Sequence, residues 1–295
     1  MGTSRDEPQF YNAFALDWQR GLDTGLDAVA TADARLLSRD AANGSATTMA
    51  RLHAGWSARL DGTAMLDLFV LEGALSLEGA VLGAGAYAFL PPGLSAGAEL
   101  RCEHGAQVVF FWNPQHGRIA GDEIRVVRSR QEPWYSMDMP GSMHGAMHKS
   151  FRLPDLWDGP IHGTTRGMMR LCQMTPGYAD PRPHVHTVWE EMLFVSGDML
   201  LWDRGRIAPG TYLGNPGEFW HAPMISQRGA LMLLHTVAPI DQVATAIAGG
   251  QEVADGYRDT ESWLDPPVHE EWDTLPDYGG RRRNAPPASS GATPR

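Results

Sequence analysis

"LDLFVLEGALSLEG" runs from Leu66 to Gly79, and "EEMLFVSGDMLLWD" runs from Glu190 to Asp203. Each opens on an apolar run that ends in glycine and continues into a second short apolar stretch. The next segments match as well, "LGAGAYAFLPPG" (82–93) with "IAPGTYLGNPG" (207–217). The offset is about 124 residues, far too long for a solenoid and suited to two tandem copies of a small domain. Within each copy the apolar runs are short, "ALSLEG" alternates apolar and polar, and Gly- or Pro-rich turns follow at close intervals. Many short strands with regular turn signals predict an all-β chain with few helices. A sandwich or barrel fits, with a double-sheet jelly roll as a natural candidate.

The predicted boundaries are 1–130 for the first copy, 131–250 for the second and 251–295 for a C-terminal extension. The segment 133–163 is the connector and is expected to supply the first strand or arm of the second copy. "IDQVATAIAGG" (240–250) is the one expected helix, stopped by Gly249 or Gly250. The tail "GGRRRNAPPASSGATPR" carries arginines, but its Gly, Pro and Ser content predicts a disordered end.

Composition narrows the function. In 295 residues, 43% are hydrophobic, enough for a sizeable core, and the net charge is -11. Lys149 is the only lysine. No basic cluster interleaves with aromatics, so no nucleic-acid partner is expected. No apolar run approaches membrane-spanning length, so no membrane association is expected. "MGTSRDEPQF" lacks the apolar core of a signal peptide, and "MGTSRD" fits a myristoylation pattern only loosely. Cys102 and Cys172 are far apart, form no CxxC pair and are expected as buried thiols in a reducing compartment. The expectation is a cytoplasmic, acidic globular protein.

The chemistry gathers in the second copy, in "HVHTVWEEMLFVSG" (184–197). Residues i and i+2 of a strand share a face, so His184 and His186 project together. A turn at 187–189 leads into the next strand. If Glu190 faces the same interior, Met192 and Phe194 line it and Glu191 points the other way. In "NPGEFWHAP" the Pro216–Gly217 turn lets His221 return toward the same cavity. Three imidazoles and one carboxylate form a mixed nitrogen and oxygen donor set for one divalent transition metal: Fe, Mn, Ni, Cu or Zn. An octahedral ion with four protein ligands keeps two positions open for substrate or dioxygen.

The spacing Gly177, six residues, "HVHTVWE", six residues, Gly197 closely resembles the first motif of the cupin superfamily. "PGTYLGNPGEFWH" (209–221) resembles the second, with one extra residue between its glycine and His221. The resemblance assigns His184, His186, Glu190 and His221 as metal ligands. Glu190 is preferred because it alone leaves six residues before Gly197, and Glu191 is the fallback. It implies two tandem cupin barrels. On the same frame the first copy resembles a cupin that has lost its metal: the ligand positions fall near Leu60, Gly62, Leu66 and Ala96 or Gly97. From about 10 to 240 the chain resembles bacterial bicupins of largely uncharacterised function, in "LSRDAANGSATTMARLHAGW" (37–56) and "EEMLFVSGDM". That likeness implies a metal-dependent enzyme acting on a small organic molecule, first an iron dioxygenase cleaving carbon–carbon bonds. A non-oxidative lyase, isomerase or hydrolase and a binding or sensor module are the other classes it allows. It also implies a homodimer, since bicupins bury sheet edges by pairing.

Other residues divide between structural and chemical roles. "GMMRLCQM" (167–174) predicts a strand with Met168, Arg170, Cys172 and Met174 on one face. Arg170 either binds a carboxylate or enolate substrate or forms a salt bridge on the outer face, the latter preferred. Tyr212 and Trp220 are expected to pack in the core, with Tyr212 as a candidate proton donor if it lines the pocket. His235 is expected as a satisfied strand-end histidine. His144 and His148 have a helical ligand spacing, but their glycine and proline neighbours disfavour a helix.

Overall fold

The computed structural model describes residues 4–118, 122–136, 146–152, 167–176, 178–180, 184–201, 204–220, 224–226, 228–238 and 243–244. The chain begins with β1 (Gln9–Asn12), β2 (Gln19–Arg20), β3 (Asp33–Arg39), β4 (Ala46–Leu52), β5 (Trp56–Arg59) and β6 (Met65–Leu77). It continues with β7 (Ala80–Gly83), β8 (Ala86–Leu90), β9 (Glu99–Cys102), β10 (Ala106–Asn113) and β11 (Arg125–Arg128). The second half holds β12 (Tyr135–Ser136), β13 (Ala146–Arg152), β14 (Met169–Met174), β15 (Tyr178–Asp180), β16 (His184–Val185) and β17 (Glu190–Gly197). Last come β18 (Met199–Leu201), β19 (Gly205–Ile207), β20 (Thr211–Asn215), β21 (Met224–Ser226), β22 (Ala230–Thr236) and β23 (Val243–Ala244). The helices among the described residues are three single 3-10 turns, Ala13–Ala15, Asp27–Val29 and Ser129–Gln131. None is long and apolar enough to cross a membrane.

One large antiparallel sheet runs β11-β8-β6-β10-β4-β3-β2, and the other runs β1-β20-β17-β22-β14-β13-β12. Smaller layers close each barrel: β5, β9 and β7 against the far end of β6, and β15-β21-β18-β19 in the second half. The chain thus forms two jelly-roll barrels. Their edges are exchanged. β1, from the N-terminus, is an edge strand of the second sheet, with Tyr11 opposite Tyr212. β11, which opens the second repeat, is an edge strand of the first sheet, with Val127 opposite Tyr87. Of these two strands only β1 crosses the division predicted at 130; β11 lies before it and pairs within the first sheet.

Alternation along the central strands builds three cores. Leu66, Leu68 and Val70 of β6 face the interior of the first barrel. Met192 and Phe194 of β17 face the interior of the second, with Met168, Cys172, Met174, Leu213 and Met232. The opposite faces meet each other, so that Phe69, Leu71, Tyr87 and Val109 pack against Leu171, Leu193, Val195, Tyr212 and Leu233 in a seam between the sheets. Close packing of two flat apolar faces is why both large sheets are buried on both sides.

The registers of the two halves superimpose strand by strand. Val109 lies opposite Phe69 and Leu233 opposite Leu193, which equates the two pairs. The same frame equates Leu66 with Glu190, Asp67 with Glu191 and Tyr87 with Tyr212. Bulges recur too: β3 skips a partner at Leu37 and β13 at Phe151. Gly73 and Gly197 end the matched runs at φ 72° and 88°. A Cβ there would stand 2.2 Å from the Gly105 carbonyl oxygen and 2.1 Å from that of Gly229. Both positions need glycine for the same close approach.

The helix expected over 240–250 is overturned at the two residues of it that are described. Val243 and Ala244 are a strand paired with Val185 and His184. The open edge beside His184 supplies hydrogen-bond partners that a local helical pattern cannot.

Candidate metal centre

The site is built on the entry to β17. β16 carries His184, residues 187–188 bend, and β17 starts at Glu190. The bend is fixed from the side by the segment after β20. Glu218 donates its backbone N–H to the His186 carbonyl at 2.7 Å. A Cβ on Gly217 would stand 2.2 Å from the Thr187 carbonyl oxygen, so the glycine lets the two loops touch. His184, His186 and Glu190 are all buried, at 5%, 2% and 5% exposure. His186 Nε2 lies 3.2 Å from Glu190 Oε2.

That separation suits a shared ion. Two donors at right angles and about 2.1 Å from one metal stand about 3 Å apart. Imidazole and carboxylate together fit a divalent transition metal. Among the described residues no three His, Cys, Asp or Glu side chains converge on one point. His221 and Gly177 lie outside the described residues, as does His144. Trp220, the last described residue before His221, is exposed and not in the core as expected.

Arg170 is on β14, whose neighbours Cys172 and Met174 belong to the barrel interior. It is 5% exposed. Burial lowers its pKa, while the Glu190 carboxylate pulls it up, which places both groups in one electrostatic environment. Arg170 thus lies on the interior face of β14, the face it shares with Cys172 and Met174. Burial pushes the Cys172 thiol up to about 12, so this sulfur stays protonated at neutral pH and is a poor ligand or nucleophile.

Glu191 and Tyr212 face the other way. In the seam, Glu191 is 1% exposed. Thr47 donates its hydroxyl to Oε1 at 2.8 Å, Ser38 to Oε2 at 3.3 Å, and Arg5 Nη2 approaches Oε1 at 3.4 Å. His235 Nδ1 lies 2.6 Å from Oε1, and the Tyr212 hydroxyl donates to Oε2. Burial alone would raise the Glu191 pKa, but the Arg5 charge, His235 and Tyr212 outweigh it and hold the carboxyl at about 2. Tyr212 is pushed well above its ordinary value by burial and by the Glu191 charge. Glu190 therefore shares a face with the barrel interior and Glu191 does not. Tyr212, the sequence's candidate proton donor, is separated from the histidines by the thickness of the sheet. His235 is fully buried near the end of its strand, with Nδ1 on Glu191 Oε1.

Sequence reasoning missed Arg5, Ser38 and Thr47. They come from the N-terminal arm and the first barrel, so no local spacing points to them. The one available signal was Glu191 itself, a carboxylate due to be buried that needed a cation from elsewhere.

No family model matches the sequence, and no curated protein is similar to it. Solved structures do match. A dioxygenase candidate from Nostoc punctiforme superimposes with a TM-score of 0.66 at 21% identity, over 82% of this chain and 87% of its own. A candidate glyoxylate-induced protein from Pseudomonas aeruginosa gives 0.59 at 16%, over 83% and 91%. An oxalate decarboxylase gives 0.50 at 11%, over 87% and 88%. The likeness is one of fold: the chain holds two jelly-roll barrels of the cupin type in tandem.

Proposed function

We propose that the chain is a metal-dependent oxidoreductase of the dioxygenase type that cleaves a small organic substrate, with one divalent ion, iron first, held by His184, His186, Glu190 and His221. The observation that carries this is the buried His186–Glu190 pair, 3.2 Å apart, at the edge of an apolar barrel. The contact between the Gly217–Glu218 turn and residues 186–187 supports His221 as the fourth ligand. So does the first barrel. There Gly62 falls near the His186 position and Ala96 or Gly97 near that of His221, and a Cβ on Gly62 would stand 2.5 Å from the Ala96 nitrogen.

A divalent iron at such a donor set supplies Lewis acidity and electrons for reaction with dioxygen. The chain's own residues supply the rest. Arg170 binds the carboxylate or enolate oxygen of the substrate and orients it toward the ligand face. Met168, Met192, Phe194 and Leu213 keep bulk water out, which strengthens that charge contact. Cys172, protonated, adds bulk without competing as a ligand. The dioxygenase candidate among the structural neighbours is consistent with the oxygen-using reading.

The test is elemental analysis of protein purified without added metal, with oxygen uptake on candidate diketones and aryl ketones. The wild type carries close to one metal per chain, and His186→Ala falls below about a tenth. A wild type as empty as the variant sinks the metal site. Turnover without oxygen uptake makes the enzyme a non-oxidative lyase, isomerase or hydrolase instead.

A further inference from the structure

At one end of the seam, away from the metal centre, the two sheets part around a cleft of about 280 Å³. Its floor is Leu71 and Val195, one from each barrel, and the N-terminal arm walls it with Phe14 and Trp18. Arg35 and Arg51 line it from β3 and β4. Arg35 stacks on the Trp18 ring at 3.8 Å, with Arg51 over the same ring at 4.9 Å. Arg51 is engaged by Asp33 at 2.8 Å. Among the described residues Arg35 has no such partner. It is 9% exposed, its Nε is buried with no hydrogen-bond partner among the described residues, and Nη1 meets only the Met49 sulfur at 3.9 Å. Burial holds its pKa below the usual guanidinium value, the Arg51 charge lowers it further, and Asp17 opposes both.

The second barrel shows what a closed version looks like. In the shared register Lys149 takes the place of Arg35, opposite Leu171 where Arg35 has Met49. Lys149 also sits over a tryptophan, Trp134, at 4.7 Å. There the ammonium donates to the Ser129 carbonyl at 2.7 Å, and the residue is 2% exposed. One scaffold is used twice. In the second barrel the chain closes over its cation; in the first the cation borders a cleft.

We propose that this cleft binds a small organic monocarboxylate, its carboxylate on the Arg35 guanidinium beside Arg51 and its apolar body on Leu71, Val195 and Phe14. A guanidinium fork matches a carboxylate in plane. The apolar floor gives the rest of the ligand a place to be buried. Glu72, on the rim and held by Gln107 at 2.7 Å, opposes a dianion such as phosphate.

Benzoate is the probe, titrated into the full-length chain and followed by NMR at the Trp18 indole N–H, assigned by its loss in Trp18→Phe. A saturable shift is expected, unchanged in Arg170→Met, where any benzoate bound at the metal centre is lost. Arg35→Met weakens binding by about tenfold or more. Arg51→Gln, at a side chain 44% exposed, weakens it a few fold and serves if Arg35→Met does not fold. The proposal is overturned by no saturable shift with benzoate. It is equally overturned by undiminished affinity in both arginine variants, or by inorganic phosphate producing the same response.

Discussion

Glu190 and Leu66 occupy one position in two sheets of matching register, and so do Glu191 and Asp67, Tyr212 and Tyr87, His235 and Phe111. At the interior position the halves diverge fully: a carboxylate beside an imidazole in one, leucine in the other. At the seam position they agree, since each has a buried carboxylate that accepts from a tyrosine hydroxyl. The difference teaches which part of a duplicated barrel is scaffold and which is chemistry. The tyrosine–carboxylate pair stands in both halves as a link between neighbouring strands of one large sheet, β8 to β6 in the first and β20 to β17 in the second. The proposed ligand set draws on one barrel alone, and the other has filled the same interior with Leu66, Leu68 and Val70.

The largest effect is expected at the seam. Glu191→Ala leaves Arg5 buried against no carboxylate and costs about 3–5 kcal/mol, measured by urea unfolding. A cost under about 1 kcal/mol would mean that the seam carboxylate is not structural, and the division between scaffold and chemistry would break. Tyr212→Phe and Tyr87→Phe sharpen the comparison. Each removes a hydroxyl that donates to a buried carboxylate, so each costs about 1.5–3 kcal/mol, and neither changes metal content by elemental analysis. Loss of metal in Tyr212→Phe alone would place Tyr212 in the centre after all.

The smallest effect concerns a departure from the symmetry. Asp198 stands one residue past Gly197, where the first half has Ala74 after Gly73. Burial raises its pKa, against the Arg228 N–H and the Ser226 hydroxyl, which lower it. Its Oδ2 is buried with no hydrogen-bond partner among the described residues. A carboxyl raised in the fold is stabilising while protonated, and that contribution is lost as pH rises through its folded pKa. Asp198→Asn should therefore raise Tm by about 1–2 °C at neutral pH and leave it unchanged near pH 3. Thermal scans at the two pH values decide this, and a gain that persists in acid would remove burial of the charge as its cause.

Much of this was legible in the residues. The repeat of "LDLFVLEG" and "EEMLFVSG", the period of two and the paired glycines carry the barrels, because each is a short-range signal. The partition of Glu190 and Glu191 to opposite faces followed from the same period. What was illegible is what crosses between the halves. Arg5 reaches Glu191 over most of the chain's length, and nothing near either residue marks the meeting. Which way the face carrying Arg170 points could not be read, since its strand is buried on both sides. The residues 243–244 were misjudged because an edge partner decided their conformation.

The exchanged edges bear on how the molecule comes into being. Gln9 leaves the ribosome early, yet Gly214, its partner, is made near the end of the second barrel. The first strand must wait through synthesis for its place, a long-range pairing that slows assembly. Neither half is complete when severed from the other: each fragment would present a bare strand edge, an invitation to aggregate. The molecule is thus a duplicated fold that has given up the independence of its parts.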